Sequence, residues 1–219
     1  MPKKIGVVLA GCGVYDGSEI HEAVITLLAL DRRGVEAVIC APNVEQMHVV
    51  NHLTGEVEVG ASRNVLVESA RIARGKIRDI AQLAAAELDG LILPGGFGAA
   101  KNLCDFAVKG KACKVDPEVE RLVREVHAQG KPVAAVCIAP ALLAKVLGKE
   151  SPALTIGNDA GTAEALHAMG AKHVACPAAE TVVDREHKLI SSPAYMLAKR
   201  ISEAADGIEK AVAVLVEMA

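Results

Sequence analysis

Short apolar segments alternate along this chain with stretches of helical periodicity, and this alternation constrains the fold more than any other feature. The first three segments are K-I-G-V-V-L-A from residue 4, E-I-H-E-A-V-I-T-L-L-A-L-D-R-R-G from residue 19 and V-E-A-V-I-C-A-P from residue 35. They predict a strand, a helix and a strand. Because the same rhythm returns from residues 88 and 132, we expect an α/β fold: a mostly parallel sheet with helices on both faces.

Composition supports one domain spanning residues 1–219. Hydrophobic residues make up 52% of the chain and aromatic residues only 2%, so Ala, Val, Leu and Ile must fill the interior, as in a covered parallel sheet. The net charge is -3 and no basic cluster is interleaved with aromatics, which argues against a nucleic-acid partner. No segment approaches the roughly 18 apolar residues of a membrane span, so we expect no membrane association.

The six cysteines are scattered and form no C-x-x-C pair. This usage favours reduced thiols over a disulfide framework or a zinc site, and we predict a cytoplasmic protein without a metal. The glycine-rich turns lack the third glycine of a dinucleotide fingerprint and the Lys-Ser/Thr pair of a phosphate-binding loop. We therefore expect no nucleotide and no other cofactor.

Several local signals place further elements. Ser18 is a candidate N-cap of the first helix, and Asp116 with Pro117 opens another. The segment T-V-V-D-R-E-H-K-L-I from residue 181 predicts a hairpin, and a long closing helix is expected from about Tyr195. The stretches 43–60 and 105–115 are predicted to be long loops.

Three turns follow apolar strands and should converge at the carboxyl end of the sheet, where open α/β proteins bind ligands. They are G-C-G-V-Y-D-G-S at 11–18, P-G-G-F-G at 94–98 and V-C-I-A-P at 136–140. The third places Cys137 on an abrupt strand-to-helix junction flanked by the small residues Ala135 and Ala139. This is the pattern of a nucleophile elbow.

A thiol at such an elbow is favoured as a thiolate by the positive end of the following helix. The helix dipole is worth at most about 2 kcal/mol, which lowers a thiol pKa from about 8.5 to about 7. Ionisation at neutral pH therefore needs a second donor, and a protonated carboxyl of the Glu19 and Glu22 pair could supply it. An inert core role for Cys137 stays open at this point.

The P-G-G-F-G turn could offer half of an oxyanion hole, and the amide of Ile138 could offer the other half. Of the seven histidines, His21 and His52 lie near loops that could reach the crevice. His127, His167 and His187 are expected on the surface of helices or of the hairpin.

The residues assembled so far resemble the ElbB glyoxalase family, in the PfpI-like branch of the class I glutamine amidotransferase-like superfamily. The similarity covers essentially the whole chain and is strongest in G-C-G-V-Y-D-G-S-E-I-H-E-A, N-H-L-T-G-E, P-G-G-F-G-A-A-K-N-L, C-I-A-P-A and S-P-A-Y-M-L-A. The resemblance implies a flavodoxin-like three-layer sandwich, a homodimer, no metal, and cofactor-independent conversion of small dicarbonyls to hydroxy acids. The family name also links it to isoprenoid biosynthesis.

Carried over onto this sequence, the resemblance implies Cys137 as the nucleophile and Glu22 as its acidic partner. Gly96 and Ile138 match the oxyanion amides, and Gly95, His21 and Asn158 are candidates for substrate binding. The histidine that many superfamily members place about twenty residues after the cysteine is missing here. Turnover is therefore expected to be slow.

The predicted activity is a glyoxalase III-type lyase that acts on glyoxal without glutathione. Two alternatives stay open. One is a non-enzymatic thiol protein that senses or scavenges oxidants through Cys137. The other is a small amidase or deglycase that forms an acyl-enzyme.

Overall fold

The computed structural model describes residues 2–219, and a seven-stranded sheet forms its centre. The strands are β1 (Lys4–Val8), β2 (Glu36–Ala41), β3 (Arg78–Asp79), β4 (Gly90–Leu93), β5 (Val133–Val136), β6 (Ala153–Leu154), β7 (Lys172–His173), β8 (Val182–Asp184) and β9 (Leu189–Ser192). The sheet order is β3-β2-β1-β4-β5-β9-β8, and β6 and β7 pair separately. All pairs are parallel except β8 with β9, which form the predicted hairpin.

Eight α-helices connect and cover the strands. They are α1 (Ile20–Asp31), α2 (Val65–Ile72), α3 (Phe97–Lys101), α4 (Phe106–Lys109), α5 (Pro117–Ala128), α6 (Pro140–Leu147), α7 (Ala160–Ala168) and α8 (Ile201–Met218). None of these helices is long and apolar enough to cross a membrane.

Alternate residues of the central strands point into two separate cores. Leu91 and Leu93 of β4 lie in the core that α5 and α6 cover, whereas Ile92 between them lies in the core that α1 and α8 cover. Both faces of the sheet are therefore buried, which explains why the strands are continuous apolar runs instead of alternating patterns. The predicted flavodoxin-like, three-layer α/β fold is confirmed.

Several local predictions are corrected. Glu19, not Ser18, caps α1, because its carboxylate accepts from the N–H of Glu22 at 2.7 Å. The Ser18 hydroxyl instead accepts from the N–H of Ala10. The closing helix α8 begins at Ile201, since a 3₁₀ turn over Ala194–Met196 occupies the start of the expected helix.

The two predicted loops differ in outcome. Residues 43–60 contain no helix and no named strand, as predicted. Residues 105–115 are not a plain loop, because α4 and the 3₁₀ turn Gly110–Ala112 lie within them. Asp116 caps α5 through its side chain with Pro117 in the first turn, as the sequence predicted.

Candidate functional site

Cys137 lies on a strained turn between β5 and α6. Its φ is 60°, a left-handed conformation that few residues other than glycine adopt. Its N–H donates to Ser192 O at 2.9 Å, so the neighbouring strand β9 holds the turn in place. A strained residue of this kind persists only where its surroundings enforce it, and such residues cluster at functional sites.

Glu22 lies in the first turn of α1 and is fully buried beside Cys137. Its Oε2 accepts from the N–H of Gly95 at 3.0 Å, and its Oε1 accepts from the N–H of Tyr195 at 3.1 Å. The Cys137 sulfur lies close to this carboxylate, since a Cβ added at Gly95 would lie 2.7 Å from Glu22 Oε2 and 3.0 Å from Cys137 Sγ. Two main-chain donors from different parts of the chain therefore hold the Glu22 carboxyl beside the sulfur.

The protonation of this pair differs in part from the sequence expectation. Burial, assisted by the charge of Glu19, raises the pKa of Glu22 from 4.5 to about 7. Burial and the Glu22 carboxylate raise the pKa of the Cys137 thiol well above its ordinary value. For the thiol, burial opposes the ionisation that the sequence analysis expected, whereas the raised pKa of Glu22 agrees with the expectation that this carboxyl can hold a proton near neutral pH.

The main-chain N–H groups of Gly96 and Ile138 act in the opposite direction to burial and favour a lower pKa of the Cys137 thiol, which indicates that both lie near the sulfur. Both belong to the positions that the resemblance assigns to oxyanion binding. Gly95 packs so tightly between the partners that an added Cβ would touch the Cβ of Cys137 and lie 2.7 Å from Glu22 Oε2. Gly95 therefore allows the close approach of Cys137 and Glu22.

The 11–18 and 94–98 turns meet beside the elbow, as predicted. The N–H of Phe97 donates to Val14 O and the N–H of Gly98 donates to Gly17 O, both at 2.8 Å. The N–H of Glu19 donates to Gly95 O at 3.0 Å. These bonds link the start of α1, which carries Glu22, to the glycine turn.

Sequence reasoning missed Tyr195, which contributes to the site through both its main chain and its side chain. Its N–H binds Glu22, and its hydroxyl lies 2.9 Å from Nδ1 of His21. The preceding residue, Ala194, has a φ of 44°, a second strained position at the site. The segment S-P-A-Y-M-L-A was recognised as a family signature, but its letters do not reveal this turn.

A cavity of about 470 Å³ opens above Cys137. Its apolar wall includes Val14, Phe97, Phe106, Ile138 and Met196. Its polar positions are Glu19, Cys137, Asp159, Thr162 and Tyr195. The thiol therefore faces a mainly apolar space whose lining includes the carboxylates of Glu19 and Asp159.

None of the three residues predicted to bind substrate, Gly95, His21 and Asn158, lines this cavity. Asn158 is exposed, and its neighbour Asp159 takes the lining position. His21 contacts the hydroxyl of Tyr195, and Tyr195, not His21, lines the cavity. His52 is held elsewhere, because its Nε2 accepts from the N–H of Tyr15 at 3.2 Å.

Cys40, His127 and His187 lie outside the candidate site. Cys40 is fully buried, and burial raises its pKa to about 12. His127 lies 2.7 Å from Glu150 and His187 lies 2.9 Å from Asp184, away from the cavity. Within residues 2–219, no cluster of three or more His, Cys, Asp or Glu side chains is placed to hold a metal ion.

Residues 8–196 match the DJ-1/PfpI family. The chain belongs to the DJ-1/PfpI family. This family includes proteases, glyoxalases and deglycases. Among curated relatives, the human glutamine amidotransferase-like class 1 domain-containing protein 3, mitochondrial, is 51% identical over 98% of this chain and 83% of its own length. The rat ES1 protein homolog, mitochondrial, is 50% identical over 98% and 84%.

Solved structures agree with this assignment. An isoprenoid biosynthesis protein with amidotransferase-like domain from Ehrlichia chaffeensis superposes with a TM-score of 0.90 at 40% identity, covering 98% of this chain and 99% of the other. Drosophila melanogaster DJ-1beta gives 0.55 at 22% identity over the whole of both chains, which supports the fold alone.

The predicted cytoplasmic location is wrong. The curated relatives from human, rat and zebrafish are all named as mitochondrial proteins. The prediction rested on scattered, reduced cysteines, and this pattern does not distinguish one reducing compartment from another.

Proposed function

We propose that this protein is a glutathione- and cofactor-independent glyoxalase that converts small dicarbonyls to hydroxy acids through Cys137. One observation carries the proposal. The fully buried Glu22 carboxyl, whose pKa burial raises to about 7, is held beside the Cys137 thiol by the N–H groups of Gly95 and Tyr195. A base whose pKa lies near the operating pH is well matched to proton transfer.

In the first step, the Cys137 sulfur attacks the aldehyde carbon as Glu22 takes the thiol proton. The new S–C bond leaves a negative charge on the former carbonyl oxygen, close to the N–H groups of Gly96 and Ile138. Glu22 then returns the proton to that oxygen, which gives a neutral hemithioacetal and restores the carboxylate.

In the second step, Glu22 removes the hydrogen on the sulfur-bearing carbon as a proton, and the electron pair of that C–H bond forms a carbon–carbon double bond while the second carbonyl oxygen becomes an enediolate oxygen. That oxygen takes the hydroxyl proton of the first carbon, and Glu22 then delivers its proton to the second carbon as the C=O of the thioester forms. The second carbonyl becomes an alcohol and the hemithioacetal becomes a thioester. Water hydrolyses the thioester, so that glyoxal and one water give glycolate and the free thiol. Glu22 has to serve as both acid and base, which fits the expectation of slow turnover.

The finer assignment is the ElbB glyoxalase family, with formal classification among the lyases. Its support is the elbow motif together with the 40% identity to the Ehrlichia protein, whose name mentions isoprenoid biosynthesis. We also propose a homodimer on the family resemblance. Light scattering at micromolar concentration should give twice the chain mass of 22.7 kDa, and a monomer would reject the dimer.

Product analysis by NMR tests the proposal. The protein is incubated separately with ¹³C-labelled glyoxal, a glycated amine and glutamine, with Cys137→Ala as the control. Glycolate that appears with wild type and not with Cys137→Ala supports the glyoxalase. Release of amine or ammonia without glycolate would support a deglycase or amidase, and stoichiometric thiol loss without product would support a thiol sensor.

A further inference from the structure

The cavity above Cys137 is far larger than glyoxal needs. Its volume is about 470 Å³, within the range of about 300–1,000 Å³ that holds drug-sized ligands. Glyoxal has four heavy atoms and would displace roughly two waters, or about 60 Å³. Most of the cavity would then stay wet beside the reacting carbons.

The wall of the cavity indicates what fills the remaining space. Phe97, Phe106, Ile138 and Met196 give it an apolar surface that extends away from Cys137. Phe106 belongs to α4, the short helix in the segment that sequence reasoning had taken for a loop. An apolar substituent that enters this space gains the free energy of leaving water.

The charged residues that line the cavity are acidic, and the lysine Lys101 lies outside the lining with its Nζ 5.1 Å from the centroid of the Phe97 ring. Glu19 and Asp159 line the cavity, and among the described residues 2–219 no Lys or Arg side chain does. Hydrogen bonds from Thr162 lower the pKa of Asp159, so its carboxylate is charged at neutral pH. Carboxylates in the lining repel a phosphate or carboxylate on the substrate.

We propose that the site takes an uncharged or cationic 2-oxoaldehyde whose second carbon carries an aromatic or branched apolar group. This inference rests on the proposed function and specifies its substrate class. The aldehyde reaches Cys137, and the apolar group lies against Phe106 and its neighbours. The same acidic edge favours release of the product, because the reaction converts a neutral substrate to a carboxylate.

Steady-state kinetics with three aldehydes tests the substrate class. Phenylglyoxal should exceed glyoxal by at least about 10-fold in kcat/KM, mostly through a lower KM, because binding of a remote apolar group acts on both ground and transition states. 4-Carboxyphenylglyoxal has the same ring with a negative charge. Its kcat/KM should be lower than that of phenylglyoxal by a similar factor. Equal values for glyoxal and phenylglyoxal would overturn the inference.

Two variants assign the effect to named residues. Phe106→Ala should lower the ratio of kcat/KM for phenylglyoxal to that for glyoxal at least about three-fold, whereas Val108→Ala, on the exposed side of the same helix, should leave the ratio unchanged. Asn is also a good helix N-cap, so Asp159→Asn should keep the start of α7. This variant should raise kcat/KM for 4-carboxyphenylglyoxal about three- to ten-fold. Unchanged ratios in Phe106→Ala and Asp159→Asn would count against the assignment.

A binding measurement separates this inference from the proposed reaction. On Cys137→Ala, acetophenone should bind at least about 10-fold more tightly than 4-acetylbenzoate in NMR titrations, since both probes share the ring and differ in charge. If acetophenone binds in this way but no aldehyde is turned over, the proposed reaction fails and the ligand class stands. If acetophenone does not bind better, the ligand class fails even if glyoxal is converted.

Discussion

The main-chain N–H of Tyr195 donates to Oε1 of Glu22 at 3.1 Å, although 173 positions separate the two residues along the chain. The bond joins the segment after β9 to the first turn of α1, directly beside Cys137. It also places the Tyr195 side chain at the cavity with its hydroxyl against His21. Tyr195 therefore positions Glu22, the general base of the proposed reaction, through its main chain and also places its own phenol in the site.

Tyr195→Phe separates these two roles of Tyr195. The variant keeps the N–H that holds Glu22 but removes the hydroxyl. If the phenol donates to a substrate oxygen during proton transfer, kcat for glyoxal should fall at least about 10-fold while the pH inflection from Glu22 stays in place. The other tyrosine provides the control, because Tyr15 lies outside the cavity and Tyr15→Phe should retain kcat. Equal kcat for both variants would exclude the phenol from the reaction.

Gly95→Ala should disrupt the contact between Glu22 and Cys137. The added methyl would lie 2.7 Å from Glu22 Oε2 and against the Cys137 side chain, so one of them has to move. We expect a loss of about 1–3 kcal/mol in the free energy of unfolding, together with loss of turnover. Denaturant unfolding and glyoxal assays measure both effects.

Gly161→Ala is the matched control for that substitution. Gly161 lies in α7 with open space around it, so alanine should maintain or raise stability. If Gly95→Ala proved as stable and as active as Gly161→Ala, the close packing of the pair would not matter for the reaction.

The raised pKa of Glu22 makes stability depend on pH. The folded protein holds the Glu22 proton more tightly than the unfolded chain, with a pKa of about 7 against 4.5. This contribution is therefore present at low pH and is lost as the pH rises from about 4.5 through 7, up to about 3 kcal/mol in total. Glu22→Gln cannot titrate and should lack the loss.

Denaturant unfolding at pH 4.5 and pH 8 measures this difference. Wild type should lose up to about 3 kcal/mol more than Glu22→Gln between the two pH values. Titrating groups that do not interact with Glu22 are shared by the two proteins and cancel in the comparison. If the free energy of unfolding changed equally in both proteins between these pH values, Glu22 would have an ordinary pKa in the folded state.

The sequence predicted the central strands well because both faces of the sheet are covered. That burial made β1, β2, β4 and β5 continuous apolar runs, each followed by a recognisable turn. The elements it missed were short. Two-residue strands such as β3 and β7 carry no periodicity, and α2 spans only eight residues.

The partners at the site were harder to predict than its central residues. The glycine turn and the elbow are local patterns, so Cys137, Gly96 and Ile138 could be named from their neighbours in sequence. The contributions of Tyr195 and Asp159 depend on tertiary contacts. The effect of burial on the Cys137 thiol was underestimated, because the sequence showed the helix start but not how completely the thiol is enclosed.

The pH dependence of glycolate formation, followed by NMR for wild type and Glu22→Gln from pH 5 to pH 9, tests the pairing of Cys137 with Glu22 most directly. Glu22 has to be ionised to take the thiol proton, so kcat/KM of wild type should rise with pH and level off above an inflection at about 7. Glu22→Gln should be at least about 100-fold slower across the range. A wild-type rate that does not change with pH, or a Glu22→Gln variant within a few-fold of wild type, would contradict the role of Glu22 as the base.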